Sequence, residues 1–181
     1  MDIFESCREI NELMSSGSEV EARNQLIKLL DFHEKEQLEF SPLVNHLIRE
    51  AGLYPYIEVE TASWQERFIH EAFKVDIGLE EPVTLHREQS SILSKLIHGE
   101  SLAVSAPTSF GKSFVIDSFI SIQRPTNVLI IVPTIALTDE TRRRLYPKLP
   151  STKLLLLQRL SLGSEIYLYF PKREQSHTQK R

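Results

Sequence analysis

The sequence predicts an α/β protein with a parallel sheet, preceded by a small all-α region. Three observations carry this. Through residues 1–80 the apolar side chains recur at i, i+3, i+4 and i+7, the spacing of one helix face. From Leu102 an apolar run, a glycine-containing loop, an apolar-rich helical stretch and a second apolar run follow in strand, helix, strand order. That second run, Val128-Leu129-Ile130-Ile131-Val132, has no polar alternation, the pattern of a parallel strand buried on both faces. The chain is therefore divided into a helical region, residues 1–80, and an α/β region, residues 81–181.

The helical region opens with Ile3, Phe4, Cys7, Ile10 and Leu13 on one stripe, broken by Ser15-Ser16-Gly17-Ser18. A second helix spans Glu19 to Lys35 with Val20, Leu26, Ile27 and Leu30 towards one side and His33 at the boundary of the face. Ser41-Pro42 reads as a cap with proline at the first helical position, ahead of Leu43, Val44, Leu47, Ile48 and Ala51, with Gly52 closing the helix. Leu53-Tyr54-Pro55-Tyr56 is a turn, since proline restricts the residue before it. Ser63 with Glu66 forms a capping box for a fourth helix whose aromatic face, Trp64, Phe68, Ile69 and Phe73, is expected in the core.

In the second region Thr84 is the expected cap of a helix carrying Leu85, Gln89, Ile92, Leu93, Leu96 and Ile97. Leu102 to Ser105 is the expected strand before the loop, residues 112–122 the helix after it, and Val128 to Val132 the next strand. A helix over residues 134–146 and two short strands, Lys153 to Leu157 and Ile166 to Phe170, complete the pattern before a polar tail, Lys172 to Arg181, expected to fray.

Composition limits the functions open to such a chain. With 181 residues and 41% hydrophobic content it can bury a core. No apolar run reaches the roughly 18 residues of a membrane span, and Met1-Asp2-Ile3-Phe4-Glu5 lacks the basic-then-apolar order of a secretory signal, so a cytoplasmic location is expected. The single cysteine, Cys7, excludes an internal disulfide and a cysteine-based zinc cluster, and its place on the first stripe predicts packing. Residues 1–80 hold seven Lys and Arg against 17 Asp and Glu, whereas residues 81–181 hold 14 against eight. The second region thus suits a polyanionic partner, and the first does not.

Ala106-Pro107-Thr108-Ser109-Phe110-Gly111-Lys112-Ser113 is the stretch that carries chemistry. A glycine-containing turn at a helix N-terminus presents backbone N–H groups to a polyphosphate, with Lys112 reaching the β- and γ-phosphates and Ser113 binding Mg²⁺. The general pattern has glycine where this chain has Ala106.

These residues resemble motif I of the superfamily 2 helicases of the DExD/H type in its A-x-x-x-x-G-K-S form. Two further stretches in the right order extend the resemblance over roughly residues 82–170. Leu85-His86-Arg87-Glu88-Gln89 resembles the glutamine motif, which implies that Gln89 bonds the adenine edge; its amide can satisfy adenine N6 and N7. Pro133-Thr134-Ile135-Ala136-Leu137 resembles motif Ia, which implies that Pro133, Thr134 and the nearby amides hold a nucleic-acid backbone. Arg142 and Arg143, in the run Arg142-Arg143-Arg144, add positive charge there, although such a run is also an ordinary solvated face. The family implies ATP and Mg²⁺ as cofactors, single-stranded DNA or RNA as partner, and a P-loop NTPase RecA-like lobe as the fold.

The departures are as informative. Asp139-Glu140-Thr141-Arg142 spells D-E-x-x but follows motif Ia inside a helix, so these acids are expected to favour the first-turn dipole and not to hold Mg²⁺. Phe170-Pro171-Lys172-Arg173-Glu174 is a faint echo of motif Ib, and motif II and the second lobe do not follow. The expectation is an incomplete first lobe with an acidic helical prefix that binds nucleotide but neither hydrolyses it nor unwinds by itself. Two other readings stay open: a non-enzymatic interaction module in which residues 1–80 contact a partner protein and the lobe remnant is structural, and a small P-loop NTPase or kinase; the protein partner expected is one bound through residues 1–80 or a chain carrying the missing lobes.

Overall fold

A computed structural model of the protein describes residues 2–77, 81–148 and 153–158. It forms two compact units, Met1–Ser90 and Ser91–Arg181. The expected strand at Ile166 to Phe170, the motif Ib echo and the polar tail lie outside the described residues.

Among its described residues the first unit contains four helices, the start of a fifth and a short antiparallel strand pair. Helix α1, Ile3–Ser15, starts where the Asp2 carboxylate accepts from Glu5 N at 3.1 Å. Helix α2, Glu19–Glu36, packs against α1 and stops at Gln37 in the left-handed region. Helix α3, Pro42–Glu50, is capped by Ser41 Oγ accepting from Val44 N at 3.3 Å. A 3₁₀ turn at Tyr54–Tyr56 leads to α4, Trp64–Ala72, entered through the Ser63/Glu66 capping box. Strands β1, Lys74–Val75, and β2, Val83–Thr84, pair antiparallel.

Cys7, Ile10, Leu26, Leu47 and Ile48 form the centre of this core, each at most 1% exposed. Full burial of each such aliphatic side chain stabilises by about 1.5–3 kcal/mol. Cys7 packs as its stripe predicts.

Four expectations fail here for identifiable reasons. Phe4, Val20 and Ile27 face solvent, because contact between α1 and α2 occupies only the narrow Cys7/Ile10 and Ala22/Leu26/Leu29 stripes. His33 is buried, not at the boundary: its Nδ1 donates to Leu29 O at 2.8 Å and its ring meets Phe32 and Phe40 edge-on. Trp64 and Phe68 are 74% and 67% exposed, since the inward face of α4 is set by buried Glu66, paired with Arg49 at 3.3 Å, and by Ile69 and Phe73. Thr84 is a strand residue whose Oγ1 donates to His70 O at 3.3 Å; it does not cap a helix.

Helix α5, Arg87–Ile97, contains the division between the units. In the second unit a 3₁₀ turn at Thr108–Phe110 precedes α6, Lys112–Gln123. Strand β3, Asn127–Val132, is followed by α7, Ile135–Leu145, a 3₁₀ turn at Tyr146–Lys148 and β4, Lys153–Gln158. Strands β3 and β4 run parallel in register from Asn127↔Lys153 to Val132↔Gln158. Parallel neighbours need a crossover, and α7 supplies it.

The sheet differs from expectation in two respects. Leu102 to Ser105 is not a strand, and among the described residues no strand pairs with it. Strand β3 buries Val128, Ile130 and Val132, while Leu129 is 36% exposed and Leu155 on β4 is 55% exposed, so one sheet face is covered and not both. The architecture is a helical N-terminal region followed by a small parallel sheet with helices. Among the described residues no helix is long and apolar enough to cross a membrane.

Candidate functional site

The loop before α6 is shaped by its backbone. Pro107 is extended, Thr108–Phe110 makes one 3₁₀ turn with Phe110 N donating to Pro107 O at 3.1 Å, and Gly111 then takes φ 77°. A side chain at that φ is strained, so glycine permits the reversal. Gly111 O accepts from Phe114 N and Val115 N at 2.9 and 3.2 Å, which starts α6, and no side chain caps this N-terminus. Lys112 Nζ folds back to donate to Pro107 O at 2.8 Å and to Ala106 O. Thr108, Ser109 and Ser113 are exposed, while Ala106, Phe110, Gly111 and Lys112 are partly buried.

This donor set fits a polyphosphate: uncapped helix N–H groups, a left-handed glycine and an ammonium held across the turn. For Mg²⁺ the exposed Ser113 hydroxyl is the one expected ligand. The described residues contain no group of three His, Cys, Asp or Glu placed to hold a metal.

Gln89 lies in the first unit, on the first turn of α5, and is 8% exposed. Its Oε1 accepts from His86 N at 3.1 Å, so the side chain folds back on the start of its own helix. Immediately before His86, Leu85 N donates to Phe73 O at 2.9 Å. His86 is partly buried and stacks at a tilt 5.8 Å from Tyr56. Burial holds its pKa below the usual value, with the Arg23 charge adding to the effect against the opposing pull of Glu88 and of a hydrogen bond to the Gly52 backbone. Burial lowers His70 in the same way, helped by Lys74.

Neutral imidazoles of this kind make stability depend on pH with a definite sign. As pH falls through about 6.5 the unfolded chain takes up protons that the folded chain refuses, so stability is complete above that value and declines below it towards the depressed folded pKa values. The urea midpoint of the wild-type chain is expected to be lower at about pH 5.5 than at about pH 7.5, and the gap to narrow in His86→Gln. A gap of the same size in the variant rules out His86 as a contributor.

Thr134 Oγ1 accepts from Leu137 N at 3.2 Å, which makes it the N-cap of α7, with Pro133 partly buried beside it. Arg142 and Arg143 are exposed; Arg142 meets Asp139 at 3.7 Å. Arg144 differs: it lies 2.6 Å from the buried carboxylate of Asp117 on α6 and 3.6 Å from Glu140. Asp139 and Glu140 stand past the first turn of α7, which holds no acidic residue, and answer the arginines of their own helix; the expected role towards the dipole is corrected.

Sequence reasoning missed Asp117, Arg23 and Glu88. Asp117 left a signal, the one acid in the apolar-rich Lys112–Gln123 helix. The pair Arg23 and Glu88 is 65 residues apart and left none.

Residues 86–167 match the DEAD/DEAH box helicase family, in line with the resemblance of that region to the superfamily 2 DExD/H-type helicases. Residues 1–67 match the Anti-bacteriophage protein B N-terminal domain. Anti-bacteriophage protein B of Escherichia coli (strain K12) is 31% identical over 140 residues, which cover 77% of this chain and 19% of that protein. The match thus spans about a fifth of the relative's length. No solved structure matches the chain.

Proposed function

We propose that this chain is the nucleotide-binding start of a helicase motor, a P-loop NTPase of RecA-like fold in its second region, joined to a helical prefix. The observation that carries the reading is the loop at Ala106 to Ser113, with left-handed Gly111 opening an uncapped helix and Lys112 Nζ on the loop carbonyls. ATP is the nucleotide proposed, with its phosphates on this loop. Lys112 exchanges carbonyl contacts for phosphate oxygens, a stronger, charge-assisted pairing. Mg²⁺, held at Ser113, would neutralise phosphate charge.

Pro133, Thr134, Arg142 and Arg143 are proposed to hold a nucleic-acid strand through its phosphates. The residues named here supply binding groups, and no step of hydrolysis or unwinding is assigned to them. The likeness to Anti-bacteriophage protein B supports a role in defence against bacteriophage. A second reading, a protein contact through residues 1–80, is favoured by solvent-facing Trp64 and Phe68 on an acidic region.

The test is a calorimetric titration of the chain with ATP and Mg²⁺. Lys112→Ala is expected to weaken binding by about 1.5–3 kcal/mol, the worth of a charge-assisted hydrogen bond. Equal affinity of wild type and variant removes the phosphate loop from the proposal.

A further inference from the structure

We propose that Trp64 and Phe68 on α4 anchor a docking surface for a cationic amphipathic helix of a partner protein. The inference rests on the second reading above, a protein contact through residues 1–80, and deepens it by naming the partner's chemistry.

Trp64 and Phe68 stand four residues apart, and Ala72, also exposed, stands four beyond. That spacing aligns the three along one side of α4, about 12 Å from end to end at roughly 1.5 Å per residue. The inward side holds the helix in place. Glu66 accepts from Ser63 N at 3.1 Å and pairs with Arg49, whose Nη1 also donates to Gln65 Oε1 at 3.1 Å, while Ile69 and Phe73 pack on the core. Arg67, between the two aromatics, is turned back on the preceding loop, donating from Nε to Ala62 O at 2.9 Å and from Nη2 to Glu60 O at 3.0 Å. The rings are therefore presented on a helix already ordered, which removes one cost of association. Each aromatic side chain offers about 150–250 Å² for burial, and tryptophan is enriched among the residues that dominate interfaces.

Charge around the stripe selects the partner. Residues 58–76 hold five Asp and Glu against two Lys and Arg, and both cations are engaged: Arg67 by its loop carbonyls and Lys74 by Glu71 at 2.6 Å. Glu60 before the stripe, and Glu71 and Asp76 towards and beyond its end, are exposed. Residues 1–80 carry ten more acids than bases, so nucleic acid, an anionic membrane and a second copy of this region are repelled. A segment bearing lysine or arginine is attracted, and its cations also suit the face of the Trp64 indole. A helix with one apolar side flanked by cations complements an apolar stripe with acids before and after it.

Trp64 is the one tryptophan of the chain, so its emission reports on this surface directly. The experiment titrates the whole chain with a synthetic Leu/Lys amphipathic peptide and with its Leu/Glu counterpart, with folding of each variant checked by circular dichroism. Before addition the emission is expected to be that of a water-exposed indole. The Leu/Lys peptide is expected to shift it to the blue, with affinity falling as salt rises, and the Leu/Glu peptide to leave it unchanged. Phe68→Ala is expected to weaken binding about tenfold, as at an interface anchor. Glu71→Lys is expected to weaken it more than Glu9→Lys, the same charge change at an exposed position on α1. A blue-shifted emission before any peptide is added means that the face is covered within the chain, and overturns the proposal. No response to the Leu/Lys peptide overturns it too, as does equal affinity of Phe68→Ala and wild type or of the two lysine variants, since net charge then explains the binding. If the Leu/Glu peptide binds as tightly and through Phe68, the cationic chemistry is overturned while the protein contact stands. Self-association that Phe68→Ala removes places a second copy on the face and overturns the proposed partner.

Discussion

Gly52→Ala is expected to destabilise the helical unit by about 2–4 kcal/mol. Two costs combine. Gly52 has φ +71°, where an L side chain costs about 1–2 kcal/mol. A methyl group there would also sit 2.8 Å from Arg87 Cβ and 2.9 Å from Arg87 Nε, closer than real Cβ atoms come. The guanidinium end can swing away, but Cβ is fixed to a backbone whose N–H bonds Gly52 O at 3.0 Å, so that bond must lengthen or the start of α5 must move. Gly17→Ala is the control: φ is +79°, with nothing within 4 Å, so the backbone cost stands by itself. Urea unfolding of both variants checks this. Equal losses at the two positions show that close approach of Arg87 contributes nothing.

Gly52 also shows how far the sequence could be read. It was legible as a helix stop, because a glycine after a Leu43 to Ala51 stripe is a local pattern. Its contact with Arg87 was not, since nothing local links positions 35 residues apart. The same division runs through the chain. Caps at Ser41 and Ser63, the ends of α1, α2, α3 and α6, and strands β3 and β4 follow from short-range rules and appear where expected. Which face of α4 points inward depended on the Arg49–Glu66 pair, and whether Leu102 to Ser105 becomes a strand depends on a neighbour to pair with. Both are tertiary decisions. In the candidate site the glycine, lysine and serine of the loop were legible because phosphate chemistry demands them in order. The Arg23–Glu88 ion pair was not, because both are ordinary surface residue types.

Arg142, Arg143 and Arg144 are alike in sequence and are expected to behave differently. Arg144→Ala should destabilise the second unit by about 2–4 kcal/mol, because it leaves the carboxylate of Asp117, 3% exposed, without its charge partner. The expectation stays below the cost of opening a fully buried pair, since the Arg144 side chain keeps 29% of its surface in water. Contact at 2.6 Å without hydrogen-bond alignment means that charge, more than direction, holds the two together. Asp117→Asn with Arg144→Ala should therefore recover part of the loss, because the buried side chain that Arg144 faced no longer carries a charge. Arg142→Ala and Arg143→Ala, at exposed positions, are expected to unfold like wild type and to weaken single-strand binding uniformly across sequences, with a shallower salt dependence. Urea unfolding and strand binding at two salt concentrations separate these roles. Arg144→Ala folding as stably as wild type would remove the ion pair with Asp117 from the account and return all three arginines to the exposed face.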